Sequence, residues 1–597
     1  MGSYNFGNTK HGFDDFSNDN PPFNSSSARH RYADNPYYDA TDDAYTNITV
    51  ANSASYDGEG VDIIVMDSGV DATHPEFFDT DGNSRVVQID WYSHMSSSIQ
   101  QYYQPNISDL SNFTGQRSGQ TIDYYRDMHQ RHGTMVASAS AGIKHGYAKG
   151  ARILDCPITI GQINERYTDG NLTKGVAPSV AHATDAIVNW KNSRTGSDAN
   201  RPVIVNMSFG STRSILLIDL QSITYRGTTT QKSGTGHSKF GTWELQDLID
   251  AGFYNAALQV PRYFSIYNSY FYTIQGEYET SAGVLQKPSF DTEINNLTNA
   301  GIHVTKSAGN NARYTVPPGH ADYDNYITLT GERKFYWCRG DQTRTDAIIC
   351  GASKARSHQS SIQAVSTDAP TWTHPTNGED QKSYYSGFGP GIDLYAVADA
   401  NWQAHPAKHQ VSDPTTSTTV RYYKTYDGNT DTNHQENFRS NGGTSTAAPV
   451  IAGLLATYLE RYPTKTPVQA KADMKSMGLS SKIHSISDST VLSNSSDFSG
   501  WWDQTNGTLV NPNSPNNDGT FDQGDSVYTL RYAHIGNDTP LIAHNTDLLI
   551  TSSVAPEPPV DDPPPIEPDL PDDPLPEEPF IVSATLSNLT LQNVVIR

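Results

Sequence analysis

Three residue settings in this chain hold the parts of a nucleophilic acyl-transfer site. Asp67 closes a short apolar run, VDIIVM, and SGVDATHPEF follows it. A carboxylate at the carboxyl end of a buried parallel strand, before a glycine turn, sits where α/β sheets place functional groups. His132 opens HGTMVASASAG, which has helical spacing and small residues for close packing. Ser445 lies in NGGTSTAAPVIAG, where glycines permit a tight, exposed approach and the helix behind them aims its amino-terminal N–H groups at the site. Pro449 reads as part of that helix's first turn, where proline costs no intrahelical bond. Hydrolysis by a serine needs a hydroxyl beside a base, a carboxylate to orient the base, and donors facing the developing oxyanion. Each motif alone has a plain structural reading: a solvated turn, a packing histidine, an N-cap. Together they point to chemistry.

VMDSGV, HGTMVAS and GTSTAAP resemble the three signature blocks of the subtilisin-like serine proteases (the subtilase family, peptidase S8 type), in that family's own chain order of Asp, His, Ser. The resemblance implies a charge-relay triad of Asp67, His132 and Ser445. KSAGNN resembles the family's oxyanion strand, which implies the Asn310 amide as a donor beside the Ser445 N–H. NMSFGS resembles the strand that pairs with substrate backbone and walls the S1 pocket, which implies substrate-binding roles for Ser208, Phe209 and Gly210. Phe209 and the bordering glycines suggest an apolar, broad pocket. HGYAKGARI resembles the segment after the His helix, and IICGAS with YYSGFGPGIDLYA resembles the late core strands. The chain also departs from the family pattern. Roughly 65 residues separate Asp67 from His132, more than 300 separate His132 from Ser445, and AVADA stands where APG is common. The compact inhibitory propeptide has no evident counterpart.

Positioning these residues requires a scaffold, and the sequence describes one. VDIIVM, ARILDCPI, RPVIVNMSF and GIHVTKSAG read as buried strands; HGTMVASASAGI and TAAPVIAGLLATYLERY read as helices. Strands interleaved with helices predict an α/β fold, a three-layer subtilisin-like arrangement around a mainly parallel sheet. Residues 1–55 form an irregular polar arm and 56–480 the catalytic domain, with insertions near 212–290 and 400–438. Residues 481–554 add a small β-rich extension. Residues 555–579, almost entirely Pro and acidic, make an extended, self-repelling spacer. Residues 580–597 alternate apolar and polar and are too short to fold alone, so they are expected to dock on this chain or a partner.

Composition narrows the partners. A formal net charge of −24 argues against nucleic acid and anionic membrane surfaces. No run approaches a membrane span, and the first residues lack the apolar core of a secretion signal. Proteins or peptides are the expected substrates, and an extracellular or particle-associated setting, such as a virion component, is the expected location. A structural or adhesion component that retains a protease fold is the competing reading. Cys156, Cys338 and Cys350 build no disulfide scaffold, although Cys338 and Cys350 could bridge a local loop or remain reduced core residues. No cofactor is required for the chemistry. Structural calcium has candidate ligands in Asp79, Asp81 and Asn83, with a similar Asp/Gly-rich turn near Asp518.

Overall fold

The computed structural model describes residues 56–103, 130–158, 178–210, 290–339, 345–354, 386–398 and 442–478 apart from short gaps, with isolated strands and stretches between them and as far as Leu541. Seven parallel strands form the centre: β1 (Asp62–Asp67), β2 (Val86–Gln88), β3 (Arg152–Pro157), β4 (Val203–Met207), β5 (His303–Ser307), β6 (Ile348–Lys354) and β7 (Leu394–Val397). Their order across the sheet is β2-β3-β1-β4-β5-β6-β7. A short antiparallel strand, Asp380–Lys382, adds to the end of β6, and Ile483–His484 pairs with it.

Every residue of β1 is buried, as a strand covered on both faces requires. Its side chains alternate: Ile63 and Val65 enter one core, Ile64 and Met66 the other. The first core is closed by α1 (Gln130–Ala141), α4 (Thr444–Arg461) and α5 (Pro467–Met477). The second is closed by α2 (Val180–Ser193) and α3 (Asp291–Asn299). Helix, sheet and helix make the three layers expected from the sequence.

Asp62 begins β1 fully buried, and three arginines converge on it. Arg152 donates to both of its oxygens at 2.8 Å, and Arg194 and Arg201 each reach it at 2.9 Å. They come from β3, the end of α2 and the approach to β4, so one carboxylate ties together three crossovers at the edge opposite the site. Asp62→Asn is expected to cost about 3–5 kcal/mol in chemical denaturation, because it leaves the nearly buried Arg194 without its counter-charge. A loss below about 1 kcal/mol would show that water replaces the carboxylate.

The stretch 212–290 supplies four of the six strands of a second sheet. Its strands Leu220–Tyr225 and Thr228–Gln231 lie beside Tyr326–Leu329 and Arg333–Tyr336, followed by Tyr278–Glu279 and Leu285–Gln286, all antiparallel. A third core of Trp243, Phe253, Ile327, Trp337 and neighbours lies beneath it. Arg226 turns the first hairpin with φ 48°, and its guanidinium holds Asp322 through two bonds, at 2.7 and 3.1 Å. The hairpin-like stretch near 400–438 opens with Asn401–Ala404 against Phe438–Asn441, which delivers the chain to the glycines before Ser445. From the extension, Leu541 accepts the Tyr395 N–H at 2.7 Å. Residues 1–55 and 555–597, and Asp518, lie outside the described residues. Cys156, Cys338 and Cys350 are buried and free, Cys338 and Cys350 in different cores. Among the described residues, no helix is long and apolar enough to cross a membrane.

Candidate active site

Asp67 ends β1 at the carboxyl edge of the sheet, fully buried. Its Oδ1 lies 2.7 Å from His132 Nδ1 and accepts the Ser68 N–H at 2.7 Å. These two residues are 65 apart in sequence, and α1 brings them together by an unusually close approach. A Cβ at Gly133 would stand 2.2 Å from the Gly69 oxygen, so only glycine after His132 lets the helix sit on the DSG turn. Two bonds lock the approach: Ser68 Oγ accepts the Gly133 N–H at 3.0 Å, and Thr134 Oγ1 accepts the Asp71 N–H at 2.9 Å.

Ser445 stands in the first turn of α4. Gly443 precedes that helix with φ 101°, a left-handed value that glycine adopts without strain. The Ser445 hydroxyl donates to the Ser208 backbone oxygen at 2.9 Å rather than to the imidazole, and the Ser208 hydroxyl donates to the Ser445 carbonyl at 2.9 Å. Pro449 explains the second bond. It lies five residues past Thr444, inside the helix and not in its first turn as the sequence suggested. Lacking an N–H, Pro449 leaves the Ser445 carbonyl without its helical donor, and Ser208 supplies one. Ser208 is itself held by Asn206, whose Nδ2 donates to it at 2.9 Å and whose Oδ1 accepts from Thr305 at 3.0 Å.

Asn310 follows β5 and faces solvent. Its Oδ1 accepts both the N–H of Thr444 (2.9 Å) and its hydroxyl (2.8 Å), while Thr444 Oγ1 accepts the Gly309 N–H at 3.1 Å. A backbone N–H can only meet an oxygen, so the amide's orientation is fixed and Nδ2 is turned toward the backbone ahead of Ser445. A Cβ on Gly443 would sit 3.3 Å from that Nδ2. The nearest insertion braces the site from behind: Gln403 Nε2 donates to Thr446 Oγ1 at 3.1 Å. Phe209 is buried with its ring edge-on to Phe290 at 5.4 Å, and Gly210 is exposed.

Sequence reading missed Asn206, Thr305 and Thr444, the residues that hold the named ones. Their one signal is polarity inside otherwise apolar or small-residue blocks. The turn Asp79–Asn83 is a self-contained cap: Asp79 Oδ1 accepts the N–H groups of Asp81 (2.9 Å) and Asn83 (2.8 Å). Among the described residues no three His, Cys, Asp or Glu side chains converge on one point.

A carboxylate–imidazole pair and a serine at a helix start thus lie on one edge of a parallel α/β sheet. The subtilase family model matches residues 58–479, more than two thirds of the chain, and the chain belongs to that family of serine endopeptidases. Curated proteins give no sequence match. Solved structures similar to it include a cold-adapted subtilisin-like serine proteinase, at 16% identity over 77% of this chain and 93% of the other, with a TM-score of 0.36. Sphericase matches at 14% identity over 74% and 89%, TM-score 0.34. The S41 psychrophilic protease matches at 15% over 74% and 89%, TM-score 0.34. Membership rests on the family model.

Proposed function

We propose that Ser445 is the nucleophile of this endopeptidase, His132 its general base and acid, Asp67 the group that orients the imidazole, and Asn310 the side-chain oxyanion donor. The observation that carries the reading is the 2.7 Å contact between the buried Asp67 carboxylate and His132 Nδ1. That contact fixes the proton on Nδ1 and leaves Nε2 basic. Substrate backbone pairs with Ser208, Phe209 and Gly210 and competes for the Ser208 oxygen, which releases the Ser445 hydroxyl to turn toward Nε2. Ser445 Oγ then bonds to the peptide carbon as its proton passes to His132. The oxyanion is met by Asn310 Nδ2 and the Ser445 N–H. The C–N bond breaks as His132 protonates the leaving amine, and water hydrolyses the acyl-enzyme by the same route.

No metal takes part in this sequence. A structural calcium, if bound at Asp79, Asp81 and Asn83, would take the Asp79 carboxylate oxygen that is not accepting the Asp81 and Asn83 N–H groups. Residues 580–597 are proposed as a docking strand to a larger assembly such as a virion, their alternating pattern being the support. The test of the triad is labelling with a fluorophosphonate probe. Folded wild-type chain should label and Ser445→Ala should not; a folded wild type that stays unlabelled would refute the assignment.

A further inference from the structure

We propose that Asn206 and the Ser208 side chain are positioning residues of the reaction: through one directed run of hydrogen bonds they hold the Ser445 backbone in place while its hydroxyl attacks. This role rests on the assignment of Ser445 as the nucleophile.

The run begins where sheet and helix meet. Asn206 of β4 and Thr305 of β5 are register partners, and both are fully buried. Asn206 shares a strand face with Ile204, the face that α4 covers. A polar pair in such a place is costly unless its atoms are bonded. Thr305 Oγ1 donates to Asn206 Oδ1 at 3.0 Å, which leaves Nδ2 to donate to Ser208 Oγ at 2.9 Å. A hydroxyl that accepts from an amide keeps its own proton to give elsewhere, and Ser208 gives it to the Ser445 carbonyl at 2.9 Å. Were the amide turned over, Oδ1 would draw that proton to itself. The carbonyl, which Pro449 deprives of its helical donor, would then have none. Asn206 therefore sets the direction of the whole run.

Two bonds join Ser208 to Ser445 at rest, one in each direction. Substrate arriving on the Ser208 backbone displaces the one that the Ser445 hydroxyl makes. The bond to the carbonyl survives, and it ties the residue that supplies both the nucleophile and an oxyanion N–H to the sheet. Without it the first turn of α4 lacks an anchor at the moment of attack, and a displacement of about 1 Å there can cost on the order of 10²-fold in rate. Since the bond works in the attacking state, its loss is read in kcat and not in KM.

The test is Ser208→Ala in the full chain, with and without Pro449→Ala. It is read as kcat and KM on an internally quenched peptide and as the rate of fluorophosphonate labelling per folded molecule. Ser208→Ala keeps the backbone oxygen and loses the hydroxyl. It is expected to lower kcat and the labelling rate by about 10-fold, with KM within about twofold of wild type. Pro449→Ala returns an N–H four residues after Ser445 and should restore most of the loss in the Ser208→Ala background. General loosening of the core would not be repaired in that way. Asn206→Leu, close in volume, should lower kcat in the same manner and be rescued by the same second change. A Ser208→Ala chain within about twofold of wild-type kcat overturns the proposal, and so does a loss that Pro449→Ala leaves unchanged. If Ser208→Ala fails to fold, Asn206→Leu with and without Pro449→Ala decides by the same criteria. Wild type that labels while either criterion fails refutes this role alone. Absence of labelling in folded wild type refutes the triad and this role with it.

Discussion

His132→Ala is expected to lower kcat by about 10⁶, Ser445→Ala by a similar factor, and the double variant by no more than either alone. The magnitude is carried over from subtilisin; the non-additivity follows from the geometry. The Ser445 hydroxyl is an ordinary alcohol held on the Ser208 oxygen, and it becomes a nucleophile only when the imidazole takes its proton. Remove either partner and the other has nothing to act with. What remains, about 10³–10⁴ over the uncatalysed rate, comes from binding and the oxyanion donors, which neither substitution touches. His132 stands at the start of α1 and is 12% exposed, so alanine there should change stability by less than about 1 kcal/mol. The check is kcat on an internally quenched peptide, with thermal unfolding to show that the folded fraction is unchanged. Losses that multiplied in the double variant, or a single-variant loss below about 10²-fold, would mean that the two side chains act separately and that the base lies elsewhere.

Much of the scaffold could be read from sequence because buried parallel strands are continuous apolar runs. VDIIVM, RPVIVNMSF and GIHVTKSAG became β1, β4 and β5, and the Ser445 helix stands behind its glycine turn. Motif order did the rest, bringing Asp67 and His132 into one hydrogen bond despite 65 intervening positions. Four things could not be read. The second sheet pairs residues near 220 with residues near 330, and periodicity within one segment says nothing about a partner a hundred residues away. The Asn310 clamp depends on Thr444, a residue that looks like an ordinary helix starter until the amide is seen across from it. Pro449 reads as a first-turn proline by distance from the glycines, yet the helix begins early enough to leave it inside. Each is a fact about what packs beside a segment, and local pattern does not carry it. Lys306 is the sharpest case. A single lysine at the end of an apolar run suggests a strand leaving the core for solvent, whereas here it is fully buried against the Phe209 carbonyl.

Asp67→Asn is the second large effect, an expected drop of about 10⁴ in kcat with KM nearly unchanged. The substitution keeps size and shape, so the loss isolates what the carboxylate does electronically. Asp67 Oδ1 faces His132 Nδ1 at 2.7 Å and also takes the Ser68 N–H at 2.7 Å. An asparagine must keep its oxygen on the Ser68 N–H or turn its NH₂ toward the ring. Turned toward the ring, it donates to Nδ1 and drives the proton to Nε2, where it blocks transfer from Ser445. Left on Ser68, its oxygen still accepts from Nδ1, but no negative charge steadies the imidazolium that forms during attack. Both arrangements slow acylation and leave substrate binding alone, which is why kcat falls and KM does not. Stability should hold or rise, since the fully buried Asp67 has an Oδ2 with no hydrogen-bond partner among the described residues. Fluorophosphonate labelling would persist at a much reduced rate, in contrast to its loss in Ser445→Ala. A variant that retained more than about a tenth of wild-type kcat would show that Asp67 packs against His132 without orienting it, and the orienting carboxylate would have to be sought elsewhere around the ring.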